Sequence, residues 1–256
     1  MPLLQTDGIT LYFGGLKAVS DFRLAIEPGE VRGLIGPNGA GKTTIFNLIT
    51  GIYKPTSGGI LFEGRNIVGL PSHEIAALGI GRTFQNMRLW RHMTVLEHVE
   101  MARYSKIDYG LVGAFLGTAK RYRQEEEFKE KALALLELMG IKRFADQGIT
   151  GLPYGVQRRV EIARAMALQP KLLLLDEPTA GMNPEELAEM VQIVRKIKKE
   201  FSLAIFLIEH RMKFIMDLCD FIQTLDFGEV IAEGTPEEIR NNPRVIDAYL
   251  GKEVET

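Results

Sequence analysis

The segment GPNGAGKTT, residues 36–44, constrains this chain more than any other stretch. It satisfies G-x-x-x-x-G-K-[ST] and lies between the apolar run VRGLIG and the helically spaced KTTIFNLIT. A glycine-rich loop in that position lets consecutive backbone N–H groups turn inward around phosphate oxygens, and the helix beyond it adds its dipole. Gly36, Pro37, Asn38, Gly39, Ala40, Gly41, Lys42, Thr43 and Thr44 are therefore the candidate cradle. Lys42 supplies a cation for the terminal phosphates of a nucleoside triphosphate, and the Thr43 hydroxyl is placed to ligate Mg²⁺.

A second anchor is LLLLDEP, residues 172–178. An apolar strand ending in two carboxylates puts them at the carboxyl edge of a parallel sheet, where open α/β folds bind ligands. Asp176 is the candidate to hold Mg²⁺ through water, and Glu177 to polarise the water that attacks the γ-phosphate. A third apolar run, in FLIEHRM, ends in Glu209 and His210, and an imidazole there can donate to a γ-phosphate oxygen or orient that water. Runs such as LLLL and LAIFLI are continuous rather than alternating, which predicts a parallel sheet covered on both faces. The helix expected over 184–200 has Asn183 as its N-cap, Pro184 at its first position and Glu186 completing a capping box.

Residues 1–35 alternate apolar and polar in short runs broken by Gly and Pro, and a further strand pair is expected around GGILFEGRNIV. From about 86 to 150 the texture turns helical: TVLEHVEMARY opens with the capping box Thr94/Glu97, and RYRQEEEFKEKALALLELMG is a long charged amphipathic helix. The expected organisation is α/β: a mainly parallel core with an antiparallel β-subdomain over 1–85 and 156–256, and an α-helical subdomain inserted over 86–155. The Gly-rich apolar loop YGLVGAFLG, 109–117, has no role assigned by its sequence.

With 31 basic against 33 acidic residues the formal charge is -2, so the overall field gives no reason to expect a nucleic-acid partner. The single cysteine, Cys219, is expected in the core and excludes an intramolecular disulfide framework. No apolar run approaches the ~18 residues of a membrane span. The expectation is a cytosolic chain whose membrane role comes through a partner.

The phosphate loop, Gln85 after RTF, LPYGVQRR before a helix, LLLLDEP, AGMN and the strand-end His210, in that order, resemble the nucleotide-binding subunit of an ABC transporter across essentially the whole chain. At closer range FGGLKAV, RTFQNMRL, MTVLEHV, RRVEIARAM, LIEHRMKFIM and GTPEEIRNNPRVIDAYLG are similar to the larger ATPase subunit of the branched-chain amino acid importer. The resemblance implies ATP and Mg²⁺ as cofactors and ATP hydrolysis coupled to transport. It makes Gln85 a sensor of Mg²⁺ and the attacking water, linked to the helical subdomain. Phe13, with Tyr12 the lesser candidate, would stack on adenine beside Val19, and Ala180, Gly181, Met182 and Asn183 would form a loop crossing to a second subunit. Leu152, Pro153, Tyr154, Gly155 and Val156 would face that subunit's ATP. The partners implied are a second ABC ATPase, integral permease subunits on which the chain sits peripherally at the inner face of the membrane, and a substrate-binding protein reached indirectly. A urea importer, a lipopolysaccharide exporter and a soluble ABC-type ATPase are the alternatives. Met87, Trp90 and Met93 form the candidate docking surface for a cytoplasmic helix of the permease.

In this segment the family usually reads Leu-Ser-Gly-Gly-Gln, whereas here Pro153 replaces the serine, Tyr154 the first glycine and Val156 the glutamine. Proline has neither a hydroxyl nor a backbone N–H, so two donors are gone. The Gly155 amide and the N-terminus of a helix expected to begin near Val156 remain. A weakened shared site would favour a heterodimer with an ATPase whose signature is intact, leaving this chain's own phosphate loop competent.

Overall fold

The computed structural model describes residues 1–85, 87, 89–104 and 119–250. YGLVGAFLG lies outside them, as do Asn86 and Arg88 of the expected docking segment.

Strands β1 (Leu4–Phe13), β2 (Leu16–Ile26), β4 (Ser57–Phe62) and β5 (Arg65–Asn66) form an antiparallel sheet in the order β2-β1-β4-β5. Strands β3 (Val31–Ile35), β6 (Ile80–Arg82), β7 (Leu172–Asp176), β8 (Ala204–Ile208), β9 (Phe221–Asp226) and β10 (Glu229–Gly234) form a second sheet, ordered β10-β9-β3-β8-β7-β6. Its strands pair in parallel except β10 against β9. The continuous apolar runs divide by parity. Val31, Ile35, Leu173, Leu175, Ile205 and Leu207 enter one buried cluster, while Leu34, Leu172, Leu174, Phe206 and Ile208 enter the other. A strand buried on both faces has no polar position to spare, which is why LLLL does not alternate.

Helix α1 (Lys42–Ile49) follows the phosphate loop, and α2 (Ser72–Leu78) leads into β6. Helix α3 (Val95–Arg103) starts at the expected capping box, with the Thr94 hydroxyl accepting from the Glu97 N–H and Glu97 Oε2 accepting from the Thr94 N–H. Helices α3, α4 (Ala119–Leu138) and α5 (Tyr154–Ala167) pack on one another through Val95, Val99, Leu136, Val160 and Ala163. Helix α6 (Pro184–Phe201) has the Asn183 cap, Glu185 and Glu186 in its first turn, Lys198 and Lys199 in its last, and Leu187, Met190, Val191, Val194 and Ile197 along one buried stripe. Helices α7 (Met212–Leu218), α8 (Pro236–Arg240) and α9 (Pro243–Leu250) complete the described chain. Cys219 is buried, and burial pushes its thiol far above the usual range, so it is a core residue.

One local expectation changes, and one hairpin was not anticipated. Helix α5 begins at Tyr154, two residues earlier than its sequence suggests, because Pro153 takes the N-cap at φ -52, ψ 146, a conformation proline adopts without strain. Strands β9 and β10 form a hairpin whose turn puts Phe227 and Gly228 at φ 43 and 81. A primed turn normally advertises itself with Asn-Gly or Asp-Gly, and Phe-Gly does not.

Candidate functional site

The register of the second sheet assembles the site. Leu34 of β3 and Asp176 of β7 both stand opposite Ile208 of β8, so Gly36, Glu177 and Glu209 leave the sheet together at one edge. The phosphate loop starts there. A Cβ on Gly36, at φ 147, would lie 2.0 Å from the Leu225 carbonyl oxygen, and one on Gly41, at φ 103, would lie 2.6 Å from that of Ala18. The loop can pass between β2 and the β9–β10 turn only if both positions are glycine. The Lys42 ammonium is buried and donates to the Gly36 and Pro37 carbonyls at 2.6 and 2.8 Å, which holds it over the loop. Thr43 is exposed on the first turn of α1.

Asp176 is 1% exposed. Burial pushes its carboxyl above the usual carboxylate range, the Arg82 guanidinium pulls it down, and Glu177 pushes it up again. Arg82 Nη2 reaches Asp176 Oδ2 at 3.2 Å, and Nη1 is shared between Asn47 of α1 and its C-cap Thr50 at 2.8 and 2.9 Å. Asp176 Oδ1 is buried with no hydrogen-bond partner among the described residues. Asp176 lines neither lobe of the cleft described below, but a buried carboxylate oxygen left unpaired at the end of β7, next in sequence to Glu177, suits a hard cation taking oxygen ligands.

Glu177 sits at φ 46, a left-handed conformation that costs a non-glycine residue on the order of 1 kcal/mol. Two bonds hold it there: its N–H donates to the Ile208 carbonyl at 2.9 Å, and its own carbonyl accepts from Arg158 Nη2 at 2.8 Å. The result turns the carboxylate out of the sheet, where Gln85 Nε2 donates to Oε2 at 3.0 Å. Glu209 is fully buried and structural: it accepts from the backbone N–H groups of Thr179, His210 and Arg211 at 3.0, 2.8 and 3.0 Å and from the Thr179 hydroxyl. His210 is thereby fixed at the sheet edge with about half its side chain exposed, its Nδ1 lying 3.7 Å from Glu209 Oε2.

A cleft of about 600 Å³ runs from Phe13 and Lys17 over residues 38–44 to Gln85 and Glu177. A second lobe, about 450 Å³, joins Gly36, Pro37 and Asn38 to Gln85, Glu177, His210 and Tyr249. Phe13 is half exposed at the mouth, its ring edge-on to Tyr53 at 5.2 Å, while Tyr12 lines neither lobe. Val19 does not reach the cleft. It is fully buried in β2, since strand alternation turns it into the core, and its neighbour Ala18 provides the lining. Phe227, exposed on the β9–β10 turn, also lines the cleft and was not anticipated.

The segment Leu152–Val156 lines neither lobe. With Pro153 as N-cap, the amides of Tyr154 and Gly155 belong to the first turn of α5, where no intrahelical acceptor exists. Tyr154 lies against Gly181, where an added Cβ would stand 3.5 Å from its ring, so the signature loop and residues 180–183 of the same chain are neighbours. The Met182 carbonyl is held by Arg211 Nη1 at 2.7 Å.

Sequence reading missed the group that ties these parts together. Arg158, fully buried on α5, pairs with Glu161 at 2.6 Å and donates to the carbonyls of Phe84 and Glu177 at 2.7 and 2.8 Å, while Glu161 Oε1 accepts from the Phe84 N–H at 3.1 Å. Its only signal was an arginine and a glutamate at i, i+3 in RRVE, a spacing that surface pairs share.

Residues 19–180 match the ABC transporter family, and residues 229–255 match a family described as branched-chain amino acid ATP-binding cassette transporter. The chain is 46% identical over 251 residues to the high-affinity branched-chain amino acid transport ATP-binding protein LivG of Escherichia coli K12, covering 98% of each. Among solved structures it resembles a nucleotide-free ATP-binding cassette from an ABC transporter, with TM-score 0.85, 33% identity and coverage of 97% of this chain and 99% of that one. It also resembles a dimeric ATP-binding cassette in a post-hydrolysis state bound to ADP and Pi, with TM-score 0.77, 27% identity and coverage of 91% and 98%.

Proposed function

The chain belongs to the ABC transporter ATP-binding family, and from that premise we propose that it hydrolyses ATP to power an importer of branched-chain amino acids. The observation that carries the catalytic part is the Gln85–Glu177 bond at the mouth of the phosphate cradle, which brings a neutral amide and a carboxylate to one point above Lys42 and Thr43. The cargo rests on full-length likeness to LivG and on the C-terminal match.

In this reading the amides of residues 38–44 and the Lys42 ammonium bind the phosphates, and Phe13 stacks on adenine. Thr43 and Asp176, with Gln85, would hold Mg²⁺, which when bound would supply positive charge against the transferred phosphoryl. Glu177 polarises the attacking water, and His210 donates to the γ-phosphate or orients that water. Residues 1–85 and 156–256 act as the nucleotide-binding core and 86–155 as the helical subdomain. Leu152–Val156 meets the ATP of a second ABC ATPase across the dimer, and Ala180–Asn183 couples the two sites. The absence of the serine hydroxyl and N–H at Pro153 favours a heterodimer. Trp90, half exposed with Arg164 over its ring, and the partly buried Met87 and Met93 receive a permease helix, which keeps the chain at the cytoplasmic face. The substrate-binding protein acts only through that permease. No helix among the described residues is long and apolar enough to cross a membrane.

The experiment is ATP hydrolysis by the assembled transporter in vesicles, with and without binding protein loaded with leucine, isoleucine or valine. Stimulation by these cargoes is expected. Stimulation by urea instead, with none by the amino acids, would sink the cargo assignment while leaving the ATPase reading intact.

A further inference from the structure

We infer that Tyr249, on α9, is a positioning residue for the phosphate loop, so that the C-terminal helix walls the hydrolytic half of the cleft. The inference rests on the reading of that cleft as an ATPase site. Gly36 is the first residue beyond β3, whose pairing with its neighbours ends at Leu34 and Ile35. Pro37 has no N–H, so the Gly36 amide is the only backbone donor at the start of the loop. It donates to the Tyr249 hydroxyl at 2.9 Å, a contact between residues 213 apart in sequence. The carbonyl of the same glycine accepts from Lys42 Nζ at 2.6 Å. One residue therefore has its N–H fixed by Tyr249 and its C=O fixing the ammonium. Having no side chain and a positive φ, Gly36 has nothing else of its own to set its orientation.

Burial pushes the Tyr249 hydroxyl above its ordinary range, so it stays neutral at physiological pH. Val245 anchors α9 in the core, and Ala248 and Tyr249 face the lobe shared with Gln85, Glu177 and His210. Loss of the hydroxyl leaves the Gly36 N–H without its acceptor and loosens the glycine whose carbonyl, on the following peptide, holds Lys42. Such a change acts on the placement of the terminal phosphate more than on ADP, which lacks it.

The test compares Tyr249→Phe with Ile246→Ala, a half-exposed position on the same helix that leaves the hydroxyl in place, and with Glu177→Gln. Three quantities are read: hydrolysis by the assembled transporter, ADP binding by the full chain, and hydrogen exchange over residues 33–41. Tyr249→Phe is expected to lower kcat about three- to tenfold, the range of one lost hydrogen bond. ADP affinity and thermal midpoint should hold, exchange in the loop should accelerate, and Ile246→Ala should behave as wild type. Wild-type kcat and exchange in Tyr249→Phe overturn the inference, as does an equal loss in Ile246→Ala, which would assign the effect to helix docking. If Tyr249→Phe is unchanged while Glu177→Gln is inactive, only this inference falls. If Glu177→Gln hydrolyses like wild type, the ATPase reading of the cleft falls and takes the inference with it.

Discussion

Two helix N-termini in this molecule present backbone amides that the proposed function directs at phosphate, and they are built to different standards. At α1, the loop threads between β2 and the β9–β10 turn on glycines that admit no Cβ, a buried lysine is held over it, and Glu177 and Gln85 meet beside it. At α5, the cap is Pro153, with no side-chain cap bond, and Tyr154 occupies the space beside Gly181. Both carry a helix dipole, but only the first adds a cation and a positioned carboxylate. A dipole alone contributes about 0.3–1 kcal/mol near a helix end, too little to run phosphoryl chemistry without further groups. The asymmetry fits a chain whose own cradle does chemistry and whose signature loop completes someone else's.

The strongest test of this contrast is Glu177→Gln, which should lower hydrolysis by about 10²- to 10⁴-fold while leaving ATP binding largely intact; a variant above about a tenth of wild-type turnover would erase the distinction between the two termini. Next in size, Arg158→Met should destabilise the chain by about 3–5 kcal/mol, because Glu161 would be left as a buried unpaired charge. Chemical denaturation measures it, and a loss under about 1 kcal/mol would mean that Arg158 is not the tie between them.

Arg82→Gln sharpens the chemistry of the first terminus. The folded carboxyl of Asp176 lies above its unfolded value, so the native state binds more protons between the two. Stability contributed by this group therefore falls as pH rises through that window, while cation binding, which needs the carboxylate, is lost as pH falls through the folded value. Removing Arg82 removes the opposing pull and should move the acid limb of Mg²⁺-dependent hydrolysis to higher pH; an unmoved limb in a pH–rate profile counts against Asp176 as a ligand. The smallest effect is expected from Pro153→Ser, which restores a capping hydroxyl at α5: about 0.5–1 kcal/mol of added stability, a thermal midpoint up by roughly 1–4 °C, and several-fold faster turnover in the assembled transporter. Unchanged turnover would make the proline neutral.

What could be read from the sequence was local. The phosphate loop, the carboxylates closing β7 and the boxes at Thr94 and Asn183 each lie within a few residues, so spacing alone carries them. What could not be read joins distant residues: Arg82 to Asp176 across 94 positions, Arg158 to Phe84 across 74, Tyr249 to Gly36 across 213. Pattern has no purchase on such pairs, because the first is made by the pairing of β6 with β7 and the other two by where α5 and α9 pack. The start of α5 was misjudged for a smaller reason: Pro-Tyr-Gly reads as a turn, yet glycine in a first helical turn is tolerated when a fixed proline precedes it.

Arg158 has one more consequence. Its guanidinium grips the peptide before Gln85 and the peptide of Glu177 from a single rigid fork on α5, so it acts as a fulcrum. If the helical layer tilts, both arms must swing about it together, and whatever fixes the arms resists the tilt equally. Under the proposed function, mechanical work done on the helices and occupancy of the cradle would then be coupled through this one side chain.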